Sequence, residues 1–367
     1  MDLIKTQRVL GLMSSSSLDG VNAAVISCDG VDVFDFGVAL NIPYDDDLCE
    51  SLRFLQGQRR EDIAPEKLQQ IEQKFTAFNA DIVQNIMADY GEKPDLIGFH
   101  GYTLLHEPQQ HYTCQLGNAQ ALANQTGIKV VSCFRNADIR SGGQGAPLSA
   151  VFHASLGSRL TKPAAFLDIG GITSLTWLGV NGEIMAFDVG PGLAPLNDWV
   201  QKHGGQHTDY NGKLAVTGQV HADILSSLMR HKYLALPPPK ALDRDLFKDK
   251  FEHLEGLSLS DGAATATAFI AETVAYSLAL YVPEMPEVLI VYGAGAQNPT
   301  LVRFLRQKLE NVEVKLAEDE GWKSSAFEAQ AFAFLAARRL YGLPASYPAT
   351  TGVPEPIVCG EIFNPEK

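Results

Sequence analysis

The chain has 367 residues, 46% of them hydrophobic, with 29 Lys and Arg against 43 Asp and Glu and a formal charge of −14. A single core rarely grows past about 250–300 residues, so two domains are expected. The acidic balance, with no run of Lys or Arg, excludes the basic footprint that a phosphate backbone needs, and nucleic acid is not an expected partner. The first apolar segment, residues 9–13, is too short for a signal-peptide core. The longest, 263–282, is interrupted by Glu272 and followed by Pro283, so it reads as a buried helix and no membrane partner is expected. Five scattered cysteines without a C-x-x-C pair read as reduced thiols of a cytoplasmic protein.

In chain order, strands are expected at 8–13, 21–28 and 31–40, the last two joined by the hairpin signal Asp29-Gly30. Helices follow at 46–55 and 65–90, then a strand at 96–99, a helix at 119–125 and a strand at 129–134. After a glycine-rich joint at 141–147 the order returns. Strands are expected at 164–169, 172–178 and 183–188, helices at 193–202, 220–231 and 262–281, then a strand at 288–292, a helix from Pro299, a strand at 312–316 and a helix at 324–341. Two βββαβαβα halves facing an interdomain cleft make the actin-like (ribonuclease H-like) α/β architecture of sugar kinases and related ATPases. The expected domains are 1–140 and 141–345, with a tail at 346–367 returning towards the first.

In that architecture, tight turns of the first two strands in each half aim backbone N–H groups at the phosphates of ATP. The first such turn, 11–20, carries Ser14, Ser15, Ser16, Ser17, Asp19 and Gly20; its hydroxyls and amides are donors, and Asp19 could hold a magnesium ion through water. A polar hairpin without a ligand is the equal alternative. If the turn needs a positive φ at position 15, serine there costs about 1 kcal/mol that glycine avoids. The second turn, Gly170-Gly171-Ile172-Thr173, offers two glycines for close approach of an anion and one further hydroxyl. Asp188 closes a strand just before Gly190-Pro191-Gly192, where a carboxylate is free to accept a proton or, alternatively, only serves the following helix. The turn Gly293-Ala294-Gly295-Ala296-Gln297-Asn298 leaves a strand with few side chains, could lie against a flat base, and ends in an Asn cap before Pro299. His100, at a strand end, is weighed equally as a substrate hydrogen-bonder and as a satisfied core histidine. His203 and His207 flank a Gly-Gly pair that breaks the i, i+4 relation a zinc site would use. No G-x-x-x-x-G-K-[ST] motif is present.

Taken together, these segments resemble the anhydro-N-acetylmuramic acid kinase family almost end to end. The resemblance rests on 11–20, His100-Gly101, 115–117, Phe134-Arg135, 142–148, 170–172, Phe187-Asp188, 190–192, the Pro-Pro-Pro-Lys run ending at Lys240, 298–300 and Glu328-Ala329. It implies a kinase that uses ATP and Mg2+ to phosphorylate O6 of 1,6-anhydro-N-acetylmuramic acid while water opens the anhydro bond, in peptidoglycan recycling. By the same resemblance the catalytic set is Asp188, Glu328 and Arg135. The nucleotide would meet Ser14–Ser17, Asp19, Gly20, Gly170, Gly171, Thr173, Gly293, Ala294, Gly295 and Asn298, and the sugar His100, Gly190, Gly192 and Lys240. Lys240, Arg244 and Arg135 are available for the lactyl carboxylate. The chain departs from the family pattern at Ser15-Ser16 for Gly-Thr, Thr173-Ser174 for Ala-Asn, and Cys133 for the Asp before Phe-Arg. A kinase for another anhydro-sugar such as levoglucosan, and a catalytically weakened nucleotide- or sugar-binding homologue, are the alternatives. Related kinases are often dimers, and a homodimer is left open.

Overall fold

A computed structural model describes residues 5–15, 18–242 and 246–366. Its strands are β1 (Gln7–Ser14), β2 (Val21–Cys28), β3 (Val33–Ile42), β4 (Leu96–Glu107), β5 (Tyr112–Leu116), β6 (Lys129–Ser132), β7 (Ala164–Ile169), β8 (Ile172–Leu178), β9 (Ile184–Pro191), β10 (Val288–Tyr292), β11 (Glu313–Leu316) and β12 (Glu361–Phe363). The chain divides into two compact units, one made of Met1–Leu156 with Ala326–Lys367 and the other of Gly157–Ser325.

In the first unit the sheet order is β12-β6-β4-β1-β2-β3, with β5 paired to β4. β1, β2 and β3 are antiparallel neighbours, while β4 runs parallel to both β1 and β6. In the second unit the order is β11-β10-β7-β8-β9, again three antiparallel strands followed by two parallel ones. Set β5 and the short edge strand β12 aside, and the two sheets have one connectivity. That is the actin-like doubling read from the element order, obtained with no convincing repetition of residue identity.

Both cores follow the apolar periodicity. Leu68, Ile71, Phe75, Ile82 and Ile86 of the helix Pro65–Tyr90 are buried in the first unit together with Leu10, Leu12, Ile97 and Phe99 of the sheet. In the second, the helix Leu259–Tyr281 is long and apolar enough to cross a membrane, but 72% of its most apolar window is buried inside the fold. Its Ala263, Ala264, Ile270 and Val274 join Ala165, Leu167 and Leu289 in the core, and Ser258 caps its start by accepting from the Asp261 N–H.

Two expectations about organisation change. The glycine-rich segment 141–147 is not a joint between units. Gly145 N–H donates to Asp138 Oδ1 at 2.6 Å, Gln144 N–H donates to the Thr351 carbonyl, and the Thr351 hydroxyl closes on Asp138 Oδ2, so the segment is folded into the first unit. The division falls instead after Leu156. The last long helix, Phe327–Leu340, was expected in the second half but belongs to the first unit, against β1, β2 and β4. Glycines make that packing possible: a Cβ on Gly11 would stand 1.8 Å from the Ala329 carbonyl oxygen, and one on Gly98 2.2 Å from that of Phe332.

Candidate active site

Asp188 lies inside β9, which continues to Pro191; it does not close the strand. Opposite it, the β8–β9 register shifts between Thr173 and Ser174, so that Thr173 faces Gly190 while Ser174 faces Asp188. Such a bulge re-aims the local side chains. The Asp188 carboxylate accepts from the Ser174 hydroxyl at 2.6 Å and from the Leu242 N–H at 2.8 Å. Ser174 and Leu242 were not among the expected site residues. The one available signal was that Ser174 replaces an Asn of the family pattern and keeps a donor.

The Gly170-Gly171 turn is clamped to the start of the helix Leu193–Gly204. Gly192 and Ala194 donate their N–H groups to the Gly171 carbonyl, and Leu193 donates to that of Gly170. A Cβ on Gly192 would meet the Gly170 carbonyl at 2.3 Å, so this glycine serves the clamp; Gly190 is buried against Thr273. The Gly170 N–H donates to the Ile172 carbonyl, and Thr173 is fully buried with its hydroxyl on the Pro191 carbonyl. The expectation of a Thr173 hydroxyl offered to phosphate is therefore corrected. Gly171 remains exposed. Neither Gly170 nor Gly171 has a positive φ, and a Cβ on either would touch nothing closer than 3.7 Å, so the protein itself does not require glycine at these positions.

β10 runs beside β7 and brings Tyr292 opposite Asp168. Gly293 follows with φ 81°, and a Cβ there would stand 2.3 Å from Asp168 Oδ1, which explains the glycine by both backbone and space. Gly295 is buried against Ile169, and Asn298 is buried with its Oδ1 accepting from the Thr300 and Leu301 N–H groups. Asn298 is thus a helix cap, and Gly293, Ala294 and Gln297 are the solvent-accessible part of the expected base-binding turn.

In the first unit the serine turn is described only in part, since Ser16 and Ser17 lie outside the described residues. Ser14 ends β1 and is buried, whereas Asp19 is exposed. The positive φ falls on Leu18, at 64°, and not on Ser15. Among the described residues no three His, Cys, Asp or Glu are grouped to hold a metal ion.

Arg135 is oriented from behind. Its Nε and Nη2 donate to His100 Nε2 at 3.2 and 3.1 Å, and Nη1 donates to the Gly145 carbonyl at 2.7 Å. His100 Nδ1 lies 2.9 Å from the Gly101 carbonyl, which can only accept, so the ring is the neutral Nδ1–H tautomer. Burial, then the Arg135 charge, hold its pKa well below the usual value. His100 is 3% exposed with both nitrogens engaged, so it positions Arg135, and the expected contact with a sugar is corrected. Cys133, two residues before Arg135, sits at φ 57°, a conformation that the Asp of the family pattern tolerates better. Glu328 has an exposed side chain surrounded by protein mass; desolvation pushes its carboxyl up, and Arg135 pulls it down.

Lys240 is corrected as well. It is 5% exposed, with Nζ 4.4 Å from the centre of the Tyr281 ring and 4.8 Å from that of Tyr233. Arg244, the neighbouring cation expected to help it, lies outside the described residues.

The doubled strand order is that of actin-like ATPases and sugar kinases, which gives the fold class of the chain. A family model described as anhydro-N-acetylmuramic acid kinase matches residues 7–365, and the chain belongs to that family. The anhydro-N-acetylmuramic acid kinase of Paramagnetospirillum magneticum is 42% identical over 361 residues, which cover 97% of this chain and 99% of the relative. That of Acidiphilium cryptum is 43% identical over 357 residues, covering 97% and 98%. Among solved structures, the (R)-2-hydroxyglutaryl-CoA dehydratase component A of Acidaminococcus fermentans is similar over 91% of this chain and 99% of its own, with 12% identity and a TM-score of 0.47. At that distance the likeness carries no functional argument.

Proposed function

We infer that the protein phosphorylates O6 of 1,6-anhydro-N-acetylmuramic acid while water opens the anhydro bond, giving N-acetylmuramic acid 6-phosphate and ADP in peptidoglycan recycling. Within a chain of this family, the observation that carries the reading is the Asp188 carboxylate held at the β8–β9 bulge by Ser174 and Leu242. The Ser174 hydroxyl and the Leu242 N–H hold the carboxylate in one orientation, which a base needs. Asp188 takes a proton from water as the water oxygen bonds to C1; the C1–O6 bond breaks, and O6 bonds to the γ-phosphorus as ADP leaves.

ATP with Mg2+, when bound, supplies the phosphoryl group and neutralises the charge that develops on it. The open Gly171 turn fits an anion, because the glycines there answer no need of the protein itself. We assign the phosphates to Gly170 and Gly171 and to the serine turn with Gly20, the magnesium to Asp19 through water, and the base to Gly293 and Ala294. Arg135 and Glu328 are assigned to the sugar. Arg135, oriented by His100 and the Gly145 carbonyl, is assigned to the lactyl carboxylate. The need for ATP supports a cytoplasmic location.

The test is ADP release over a panel of 1,6-anhydro-sugars, with and without magnesium. Release with the muramic sugar, dependent on magnesium, is expected. Turnover of levoglucosan in its place would move the reading to the other sugar, and no turnover of any sugar would favour the weakened homologue.

A further inference from the structure

The segment from Tyr233 to Leu242 crosses behind Asp188 and is tied to it at three points. The Asp188 N–H donates to the Lys240 carbonyl at 2.9 Å, the Tyr233 hydroxyl donates to the Asp188 carbonyl at 2.8 Å, and the Leu242 N–H donates to the carboxylate itself. The segment is also tied to itself. The Lys240 ammonium reaches the Tyr233 and Leu234 carbonyls, both at 3.4 Å, and the Tyr281 hydroxyl donates to that same Leu234 carbonyl. The rings of Tyr281, Tyr233 and Phe187 surround Nζ at 4.4, 4.8 and 5.8 Å.

A buried ammonium is costly, and a methionine of similar length would fill the same space without that cost. What the charge adds is attraction to three ring faces and two carbonyls, which fixes the segment's fold. We propose that Lys240 is a positioning residue for Asp188: its caged ammonium locks the 233–242 segment, and so holds the Leu242 N–H on the carboxylate. The inference rests on the reading of Asp188 as the base. It also gives the motif that the sequence offered as a sugar contact a different task.

Among the described residues, the charged and titratable groups facing Nζ are the Asp188 carboxylate and the Tyr233 and Tyr281 phenols. Burial lowers the Lys240 pKa to about 8, with Asp188 opposing. As pH rises through that value the ammonium is lost, the cage no longer holds it, and kcat should fall on the alkaline side.

The experiment compares the full-length protein with Lys240→Met. Amide hydrogen exchange at residues 240–242, the first with amide hydrogens after the three prolines, should be at least tenfold faster in the variant. Its kcat should fall tenfold to a hundredfold with KM for ATP little changed, its acidic limb should move to higher pH, and the alkaline limb near pH 8 should disappear. Unchanged exchange, unmoved limbs, or a rise in sugar KM alone would overturn the proposal, the last because it would restore Lys240 to the substrate. If Lys240→Met does not fold, Tyr281→Leu removes the nearest ring at a half-buried position and should give faster exchange over 240–242 with a threefold to tenfold lower kcat; normal exchange there would likewise overturn it. The two claims fail separately. An Asp188→Asn variant with wild-type kcat would remove the base, whereas exchange at 240–242 with Asp188 intact reads the lock independently of whether Asp188 is the base.

Discussion

Asp188 carries the chemistry of this reading, and its two hydrogen bonds make separable demands. Asp188→Asn keeps the shape and removes the basic site, so kcat should fall by roughly 10² to 10⁴ with ATP affinity little changed. A near-normal kcat would remove it from the mechanism. Ser174→Ala deletes one donor to the carboxylate. A hydrogen bond to a charged group contributes roughly 1.5–3 kcal/mol, so the acidic limb of kcat/KM should move up by about one to two pH units, while Ser174→Asn should restore it. A limb that stays in place in Ser174→Ala would show that this bond does not set the basicity of Asp188. At this scale the sequence exposed residue types better than partners. Asp188, Arg135 and the Gly-Gly turn were visible as motifs. The bulge that aims Asp188, the histidine behind Arg135 and the aromatic cage of Lys240 come from contacts across 14, 35 and 41 positions, to which no local pattern points.

At the level of elements, strands and helices with strong periodicity were legible. Those set by pairing were not. β5 alternates at Tyr112, Cys114 and Leu116 but over only five residues, and the far end of β4 and β12 have no hydrophobic alternation of their own; β12 exists because 361–363 pairs antiparallel with β6. The helix Phe327–Leu340 was legible as a helix, but its small residues do not say which sheet they cover. Its seat is specified on the other side, by Gly11 and Gly98. Gly11→Ala should therefore destabilise the first unit by about 3 kcal/mol or more, since the added carbon would overlap backbone that cannot rotate away. Urea unfolding checks this, and a midpoint within error of the wild type would mean that the helix does not sit on β1 as described.

For the molecule as a whole, acid should act first through buried histidines of the first unit. Burial lowers His106 to about 4 and His153 to about 3, and it lowers His100 as well. Each takes up a proton near pH 6.5 when unfolded but resists it when folded, so stability is full above 6.5 and is lost as pH falls towards the folded values. Between pH 6.5 and 5 the loss is roughly 1.5 kcal/mol each for His106 and His153. Glu328, whose folded pKa is raised, opposes this, because its contribution grows as pH falls through its folded value. Lowered carboxylates such as Glu92 enter only below their unfolded value of about 4.5. Urea unfolding at pH 6.5 and 5.0 should show the first unit losing stability, and equal stability would contradict the buried neutral histidines.

The central claim is that one turnover both opens the anhydro bond with water and phosphorylates O6. Its most direct test is a reaction with 1,6-anhydro-N-acetylmuramic acid and ATP-Mg in H₂¹⁸O, analysed by mass spectrometry and NMR before the label at C1 can exchange. The account predicts one ADP per sugar consumed, phosphate on O6, and the label on C1 and not in the phosphate. Label in the phosphate, or ADP formed while the anhydro bond stays closed, would contradict it.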